Sequence, residues 1–369
     1  MSQLSYLSHA RYGKDKVRVL RVVRDGAWHN IVEYNVSVLV EGDIDISYTQ
    51  ADNSVVVATD SRAYYRYSNR YPHIAKTSPY VLVPERFALH LGTHIVSKYA
   101  HLHKAFITVE QLRWQRVPIA QGPGQTPKEH SHAFYRDGDE KRTVEVEIDA
   151  SAGKDKIVAR VTSGLKDLLV IKTTGSAFES FVRDEYTTLG EVNDRIFSTS
   201  IDLTYTFAPF SIPKPADGEG KVFDAPVSGD AAKGTSWDGD ALAASTRNIT
   251  LEVFALDESA SVQATLYKMG QRIIAENPHI TSVTYKLPNK HYVPVDLKYI
   301  GIDNTSPYVL PQPHRFLIGC RHTSLCSPMC LLVHLQAQRR GLPSTFAPEV
   351  RLIPVSGSAI VSAHCMGSV

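Results

Sequence analysis

The sequence predicts an α+β fold in which antiparallel sheet carries helices on one face. A β-hairpin is predicted where residues 16–23 and 30–40, both rich in valine, flank the turn-forming pair Asp25-Gly26. Each half of the chain contains a long amphipathic helix with strands before and after it. Because the two halves share this layout without repeating the sequence itself, we expect two domains of similar architecture.

The first half continues from the hairpin into three valines at 55–57, which predict a buried strand after a polar turn. The tip of that strand, Thr59-Asp60-Ser61, either caps the next element or presents reactive groups on a rigid support. A helix is predicted from Pro84, because apolar residues recur every four positions along it. Further strands are predicted at 105–109 and 143–148, with a glycine- and proline-rich loop at 122–128.

The second half has one dominant helix prediction, at 259–277. An apolar stripe of Val262, Leu266, Met269 and Ile273 supports it, and Asn277-Pro278 ends it. Around it we expect strands at 156–162, 168–173, 201–207, 248–254 and 280–287, a short helix at 177–189 and an exposed insertion at 213–244.

The composition is that of a globular, soluble protein, with 43% hydrophobic and 21% charged residues. A net charge of +2 argues against a nucleic-acid-binding surface, and the arginine- and tyrosine-rich residues 62–80 are interpreted as an irregular loop. The chain lacks an apolar run of about 18 residues, so we expect no membrane span. The first residues lack the apolar core of an export signal, and all four cysteines follow residue 319. Both features favour a reducing compartment.

We expect a first domain at 10–148 and a second at 149–302. From about residue 304 the composition changes, since lysine is absent and Glu349 is the only acidic residue. We interpret residues 303–369 as a divergent, disordered tail.

Metal binding is the weaker interpretation of the histidines and cysteines. His101 with His103, and His130 with His132, would share a strand face, but no cysteine or carboxylate cluster accompanies them. The tail residues Cys320, Cys326, Cys330 and His334 match no standard zinc spacing well. We therefore predict no metal site.

The remaining candidates for chemistry are polar residues at the ends of predicted elements. Gln263 stands near the start of a helix, where free N–H groups favour an anionic partner. Asn289 and His291 would face one side if their strand continues. Periodicity does not bring these residues together with the others, Lys14, Thr59, Asp60 and Arg195.

Seven short strings resemble the uricase (urate oxidase) family, in the family's order and spread over residues 10–302. They are Tyr-Gly-Lys-Asp at 12–15, Ala-Asp-Asn-Ser-Val-Val-Val-Ala-Thr-Asp-Ser at 51–61, Leu-Gly-Thr-His at 91–94, Arg-Asp-Glu-Tyr-Thr-Thr-Leu at 183–189, Asp-Arg-Ile at 194–196 with Ser-Thr at 198–199, Ser-Ala-Ser-Val-Gln-Ala-Thr-Leu-Tyr-Lys-Met at 259–269, and Leu-Pro-Asn-Lys-His-Tyr at 287–292.

The resemblance implies two tandem tunnelling-fold (T-fold) domains, assembled as a homotetramer with active sites between subunits. It also implies purine catabolism by a cofactor-free oxidoreductase. Urate, dioxygen and water would give 5-hydroxyisourate and hydrogen peroxide, the first step of urate degradation to allantoin.

The resemblance also assigns roles to matching residues. Arg195 would clamp the urate anion with its planar fork, Gln263 would pair with the other purine edge, and Phe178 would stack on the ring. The Val262 and Asp60 backbones would complete the hydrogen bonds. Lys14 and Thr59 would relay protons, His291 would extend that relay, and Asn289 would hold dioxygen and then water; Thr59 and Asp60 would come from a neighbouring subunit.

Two departures from the family pattern keep alternatives open. Residues after Ser61 read Arg-Ala-Tyr-Tyr-Arg-Tyr where the family has Lys-Asn-Thr, and the family's final strand and terminal Ser-Lys-Leu are missing. A purine-binding homologue with impaired catalysis is the main alternative, and a metal-dependent purine or pterin enzyme on the same fold is the weaker one. The family implies a peroxisomal location, while the missing terminal signal leaves a cytoplasmic one open.

Overall fold

The computed structural model describes residues 6–57, 70–188, 190–212, 238–290, 292–304, 309–311 and 330–336. The first half of the chain contains β1 (Tyr12–Asp25), β2 (Trp28–Gly42), α1 (Asp45–Thr49), α2 (Arg70–Thr77), α3 (Pro84–Lys98), β3 (Leu102–Ile119) and β4 (Lys128–Asp149). The second half contains β5 (Ile157–Lys172), β6 (Phe197–Phe207), β7 (Phe210–Ile212), α4 (Gly239–Leu256), α5 (Val262–Glu276), β8 (Ile280–Lys290), β9 (Tyr292–Pro294), β10 (Val309–Pro311) and β11 (Cys330–Gln336).

One antiparallel sheet joins both halves, in the order β1-β2-β3-β4-β5-β6-β8-β11, and β7 pairs with part of β5. In each half a helical segment separates the second main strand from the third: α1 to α3 lie between β2 and β3, and α4 and α5 lie between β6, with the short β7 after it, and β8. The shared order agrees with the predicted duplication of layout. The division at 148/149 stays a proposal, because β4 and β5 pair along nine residues without a break in the sheet.

The core lies between the sheet and its helices. Alternate residues of β2, from Val32 to Val40, are buried against the helix layer, as expected for a sheet with one covered face. Helix α3 packs on β3 and β4, and α5 packs on β8 through buried Leu266, Met269 and Ile273. The predicted α+β architecture, with its two principal helices, is confirmed.

Five local predictions fail. One is the irregular loop at 62–80, because residues 70–77 form α2. Residues 55–57 are not a strand, because the Asp52 carboxylate accepts a hydrogen bond from the Ser54 N–H and folds residues 53–55 into a 3-10 turn. Residues 177–188 form β-bridges and turns instead of a helix. Residues 248–254 continue α4, so tertiary burial of Ile249, Thr250 and Phe254 overrides their strand propensity. The same helix occupies residues 239–244 of the expected insertion, whose residues 213–237 lie outside the described part.

The tail also differs from its prediction where the structure describes it. Residues 330–336 form β11, which pairs antiparallel with β8 and supplies the fourth main strand of the second half. The other tail residues, apart from 303–304 and β10, lie outside the described ranges. Within those ranges no helix is long and apolar enough to cross a bilayer.

A buried charge cluster joins the two halves where β4 meets β5. Glu85 of α3 has a fully buried side chain, and both its carboxylate oxygens accept from Arg142 of β4, at 2.9 and 2.7 Å. Ser163 of β5 donates to the same carboxylate at 2.9 Å, and Arg142 also pairs with Asp240 of α4. Gly239 fits beside them because a Cβ there would lie only 2.7 Å from Glu85 Oε2. The cluster therefore links two elements of the first half to two of the second.

We predict that Glu85→Gln lowers the free energy of unfolding by about 3 kcal/mol, because the buried Arg142 charge loses its best-placed partner. Urea unfolding at fixed protein concentration measures the change. Glu276→Gln is the matched control: its carboxylate forms an exposed pair with Arg272 one helical turn away, so its loss should cost about 0.5 kcal/mol or less. Equal losses of unfolding free energy in the two variants would contradict the proposal that the buried cluster matters more to stability than an exposed ion pair.

Candidate active site

A short backbone ladder organises the C-terminal group of candidate residues. The middle of the ladder is residues 175–178, which follow β5. On one side, Ser259 N–H donates to Gly175 O at 3.0 Å and Ala177 N–H donates to Ser259 O at 2.9 Å. On the other side, Arg195 N–H donates to Ser176 O at 2.8 Å. Gly175 has φ of +76°, a conformation that favours glycine.

Arg195 and Phe178 come together in this ladder. The Arg195 Cζ lies 5.1 Å from the Phe178 ring centroid, and Phe178 exchanges two backbone hydrogen bonds with Val192. One face of the Phe178 ring stacks on Phe181, with centroids 4.6 Å apart and planes inclined by 15°. Phe181 therefore leaves at most the opposite face of the Phe178 ring for contact with a ligand.

The Arg195 guanidinium has no counter-charge in the described part of the chain. It forms none of the ion pairs found there, and its Nε is buried without a hydrogen-bond partner. Burial alone lowers the pKa of the Arg195 guanidinium from its ordinary value, and an arginine remains charged at physiological pH regardless. A half-buried cation that forms no ion pair with a described carboxylate is suited to receive an anionic ligand.

The N-terminus of α5 is the next part of the site. Ser261 caps the helix by accepting from the Ala264 N–H at 3.1 Å, and Val262 and Gln263 form its first turn. The N–H groups of a first turn have no helical acceptor, so they face an incoming ligand as donors. Thr265 fixes the approach to the helix: its hydroxyl lies 2.6 Å from Asp257 Oδ2 and 2.9 Å from Ser259 Oγ. Because Ser259 also belongs to the ladder, Gln263 and Arg195 are tied to one framework.

Asn289 lies at the same end of the sheet. Asn289 is on β8 and pairs with Thr199 of β6, which follows Arg195 by four residues. Thr199 Oγ1 also donates to Pro288 O at 2.9 Å. The structure thus brings Phe178, Arg195, Val262, Gln263 and Asn289 to one region of a single chain. His291 lies outside the described residues.

Lys14 lies elsewhere, on edge strand β1. A bulge between Lys14 and Val17 interrupts the pairing with β2, and Lys16 adopts φ of +52° within it. Bulges of this kind redirect side chains next to functional sites. The Tyr12 hydroxyl accepts from the Val57 N–H at 2.8 Å, which ties the Lys14 strand to the segment that continues toward Thr59. Thr59 and Asp60 themselves lie outside the described residues.

The sheet keeps Lys14 and Arg195 far apart within one chain. From β1 to β6 there are five strand spacings, about 24 Å along the sheet. Following the paired residues from Lys14 across the sheet leads to residues 161–162 of β5. Thr162 pairs in turn with Thr206, near the C-terminal end of β6. Arg195 precedes the opposite end of β6, which is about 30 Å further along the strand direction.

The described residues contain no group of three or more His, Cys, Asp or Glu side chains that would hold a metal ion. His103 instead contacts Asp43 at 3.1 Å, and the His130 and His132 rings pack edge to face 4.5 Å apart. Cys320 and Cys326 lie outside the described ranges, as do the side chains of Cys330 and His334.

A cavity of about 350 Å³ opens between α4 and the central strands, lined by residues including Trp114, Glu140, Tyr205 and Arg247. None of the predicted site residues lines it. The cavity is therefore not the predicted site.

Comparison with known proteins identifies the family. The sequence profile of uricase matches residues 10–147 and 161–318. The chain belongs to the uricase family. It is 44% identical over 305 residues to the uricase of Emericella nidulans, covering 82% of this chain and 90% of that protein. It is 42% identical to the uricase of Aspergillus flavus over the same length and shares of each chain.

The family relationship extends to the fold. The crystal structure of uricase from Arthrobacter globiformis superimposes with a TM-score of 0.70 at 29% identity, covering 93% of this chain and 98% of that one. A uricase structure from Bacillus fastidious gives a TM-score of 0.65 at 21% identity, which supports the fold alone. Uricase membership thus makes this chain an oxidoreductase of the urate oxidase type with a T-fold architecture.

Sequence reasoning assigned no role to three residues that shape the candidate site: Tyr12, Phe181 and Asp194. Tyr12 and Asp194 lie within the strings that resemble the family, which was the available signal, but their contacts depend on segments distant in sequence. Phe181 follows Phe178 by three residues, a spacing that has meaning only once the backbone bridge at Phe178 is known.

We predict that Arg195→Lys weakens the binding of a non-oxidised urate analogue by about 10- to 100-fold, because an ammonium group replaces a two-donor fork. Equilibrium titration measures the dissociation constant. Arg160→Lys on β5 is the control, since Arg160 is an exposed arginine paired with Glu147. Unchanged affinity in Arg195→Lys would remove Arg195 from the binding site.

Proposed function

We propose that this protein oxidises urate with dioxygen and water to 5-hydroxyisourate and hydrogen peroxide, without a metal or organic cofactor. The reaction balances: urate loses two electrons and gains a hydroxyl from water, and dioxygen takes up two electrons and two protons. The observation that supports it best is the half-buried Arg195 guanidinium, which lies beside the Phe178 ring and has no ion-pair partner among the described residues, in a chain of the uricase family.

In this proposal the C-terminal half of the chain holds the substrate. Arg195 offers two parallel donors to one edge of the urate anion, and the Gln263 amide offers one donor and one acceptor to the other. Phe178 supports the ring from one side, and the Val262 N–H completes the contacts. Asn289 holds dioxygen and then water above the ring. Holding the anion and oxygen together replaces part of what a cofactor would otherwise supply.

The proton transfers are assigned to Lys14, Thr59 and His291. A lysine beside a threonine hydroxyl lowers the cost of deprotonating it, and the threonine then accepts a proton from the substrate or from water. The Asp60 backbone adds a hydrogen bond to the purine. Tyr12 supports this arrangement, because its hydroxyl anchors Val57 two residues before Thr59.

We further propose that each site forms between two subunits of a homotetramer. The sheet geometry supports this, because a separation of about 24 Å across the strands and about 30 Å along them excludes direct contact between Lys14 and Arg195 of one chain. A two-fold axis would bring the β1 corner of one sheet to the Arg195 corner of its mate, and a symmetric pair would then contain two complete sites. Residues from the β1 side, including Thr59 and Asp60, would come from the neighbouring subunit.

The test is turnover by purified protein treated with a chelator and checked for bound metal and flavin. We expect urate absorbance to fall while hydrogen peroxide forms in equal amount. Analogue binding without turnover would select the impaired homologue instead, an alternative motivated by the altered sequence after Ser61. Activity that requires one equivalent of zinc would select the metal-dependent alternative. A peroxisomal location is proposed from the family, and microscopy of the tagged chain tests it.

We predict that Thr59→Ala and Lys14→Met each lower turnover by at least about 100-fold, because each removes a proton-transfer group. Analogue affinity should change much less in Lys14→Met. Lys76→Met, near the end of α2, is the control for loss of a lysine. Turnover near that of the wild type in both site variants would contradict the relay.

We predict that two inactive variants complement each other. Lys14→Met and Arg195→Gln should each be nearly inactive, while unfolding and refolding them as an equimolar mixture should recover about one quarter of the wild-type activity. Half of the randomly formed pairs are mixed, and one of the two sites in each mixed pair keeps both residues. No recovery, with assembly confirmed by light scattering, would place both residues in sites made by one chain.

A further inference from the structure

Asp194 immediately precedes the proposed substrate clamp Arg195, yet its carboxylate faces the other way. Thr174 Oγ1 donates to Asp194 Oδ2 at 2.7 Å, and the Gly175 N–H donates to Asp194 Oδ1 at 2.8 Å. Each carboxylate oxygen thus has a partner at the end of β5. We refer to these contacts between Asp194 and residues 174–175 as the clasp.

The clasp and the backbone ladder act on the same turn. Gly175 donates to Asp194 and accepts from Ser259, while Ser176 accepts from Arg195. The segment that carries Arg195 and the segment that leads to Gln263 are therefore both fastened to residues 174–177. Gly175 reaches its left-handed backbone conformation without strain, and these hydrogen bonds select that conformation of the turn.

A neighbouring carboxylate would ordinarily compete with an anionic substrate for a guanidinium. Here the clasp occupies both oxygens of Asp194, and no described carboxylate forms an ion pair with Arg195. The hydrogen bonds from Thr174 and then Gly175 lower the pKa of Asp194, so the carboxylate stays ionised and bound through neutral pH. The clasp thereby fixes the Arg195 backbone and leaves the Arg195 charge available.

We propose that Asp194, held by Thr174, is a positioning residue that sets the Arg195 guanidinium opposite the Gln263 amide for urate binding. The inference rests on the proposed role of Arg195 as the urate clamp. A clamp with two parallel donors tolerates only small displacement, so opening the clasp weakens binding of the substrate and of the transition state alike.

The test is the steady-state kinetics of Thr174→Val, which removes the hydroxyl donor and keeps the side-chain shape. We expect KM for urate to rise about 5- to 10-fold with kcat within about twofold of the wild type. Thr174→Ser, which keeps the donor, should restore the wild-type KM. The ratio of KM values should stay constant from about pH 6 to about pH 9, because Asp194 does not titrate there.

The matched control is Thr187→Val. Its hydroxyl donates to Asp184 at 2.8 Å in an exposed turn, so the same chemistry is lost where nothing fastens Arg195. We expect KM to stay at the wild-type value. A KM rise equal to that of Thr174→Val would overturn the specific role of the clasp.

A double-variant cycle separates positioning from general destabilisation. In an Arg195→Ala background, Thr174→Val should leave the affinity for a urate analogue unchanged, because the group that it positions is absent. An equal loss of affinity in both backgrounds would overturn the proposal, as would an unchanged KM in an active Thr174→Val enzyme. Lack of turnover by the wild-type protein would instead reject the proposed function, so the two failures are distinguishable.

Discussion

One hydrogen-bonded sheet fixes where the functional groups of this chain lie. Its order and register place the Lys14 bulge at one corner and the Arg195 ladder near the diagonally opposite corner. Strand pairing along an eight-strand path is too rigid to bring those corners together. If proton transfer and purine binding depend on both, assembly becomes a chemical requirement and not only a source of stability.

The buried charge cluster where β4 pairs with β5 (the seam between the two halves) keeps the distance between those corners fixed. Strand pairing there would allow the two halves to twist relative to each other, but Glu85 and Arg142 lock helices from both halves onto the seam. A buried ion pair contributes little net stability, because desolvation offsets its Coulomb energy. Its value here is geometric, because wrong packing of α3 against β4 and β5 would leave the Glu85 carboxylate unpaired in the core. The cost is that loss of either partner exposes the full desolvation penalty.

Local pattern predicted much of the fold and little of the site. The hairpin at Asp25-Gly26 and helix α5 were predictable because turn chemistry and apolar period act over a few residues. Residues 248–254 were not, since their β-branched side chains favour strand until the burial of Ile249 and Phe254 in α4 is known. Gln263 and Arg195 share a framework through Ser259 and Ser176, whose pairing joins segments more than eighty residues apart. Family resemblance grouped these residues in advance, because relatives share the folded structure, whereas periodicity reports only local secondary structure.

Strand β11 shows how a compositional reading can overlook a structural element. The scarcity of charge after residue 304 suggests disorder, yet residues 330–336 are apolar enough to cover the edge of β8, and Leu335 packs closely on Gly270 of α5. Without this cover, β8 would present an open edge beside the site. The described pairing begins with Cys330 opposite Pro288, so it protects β8 up to the residue before Asn289. Asn289 is the next residue along β8, where Thr199 of β6 lies opposite it.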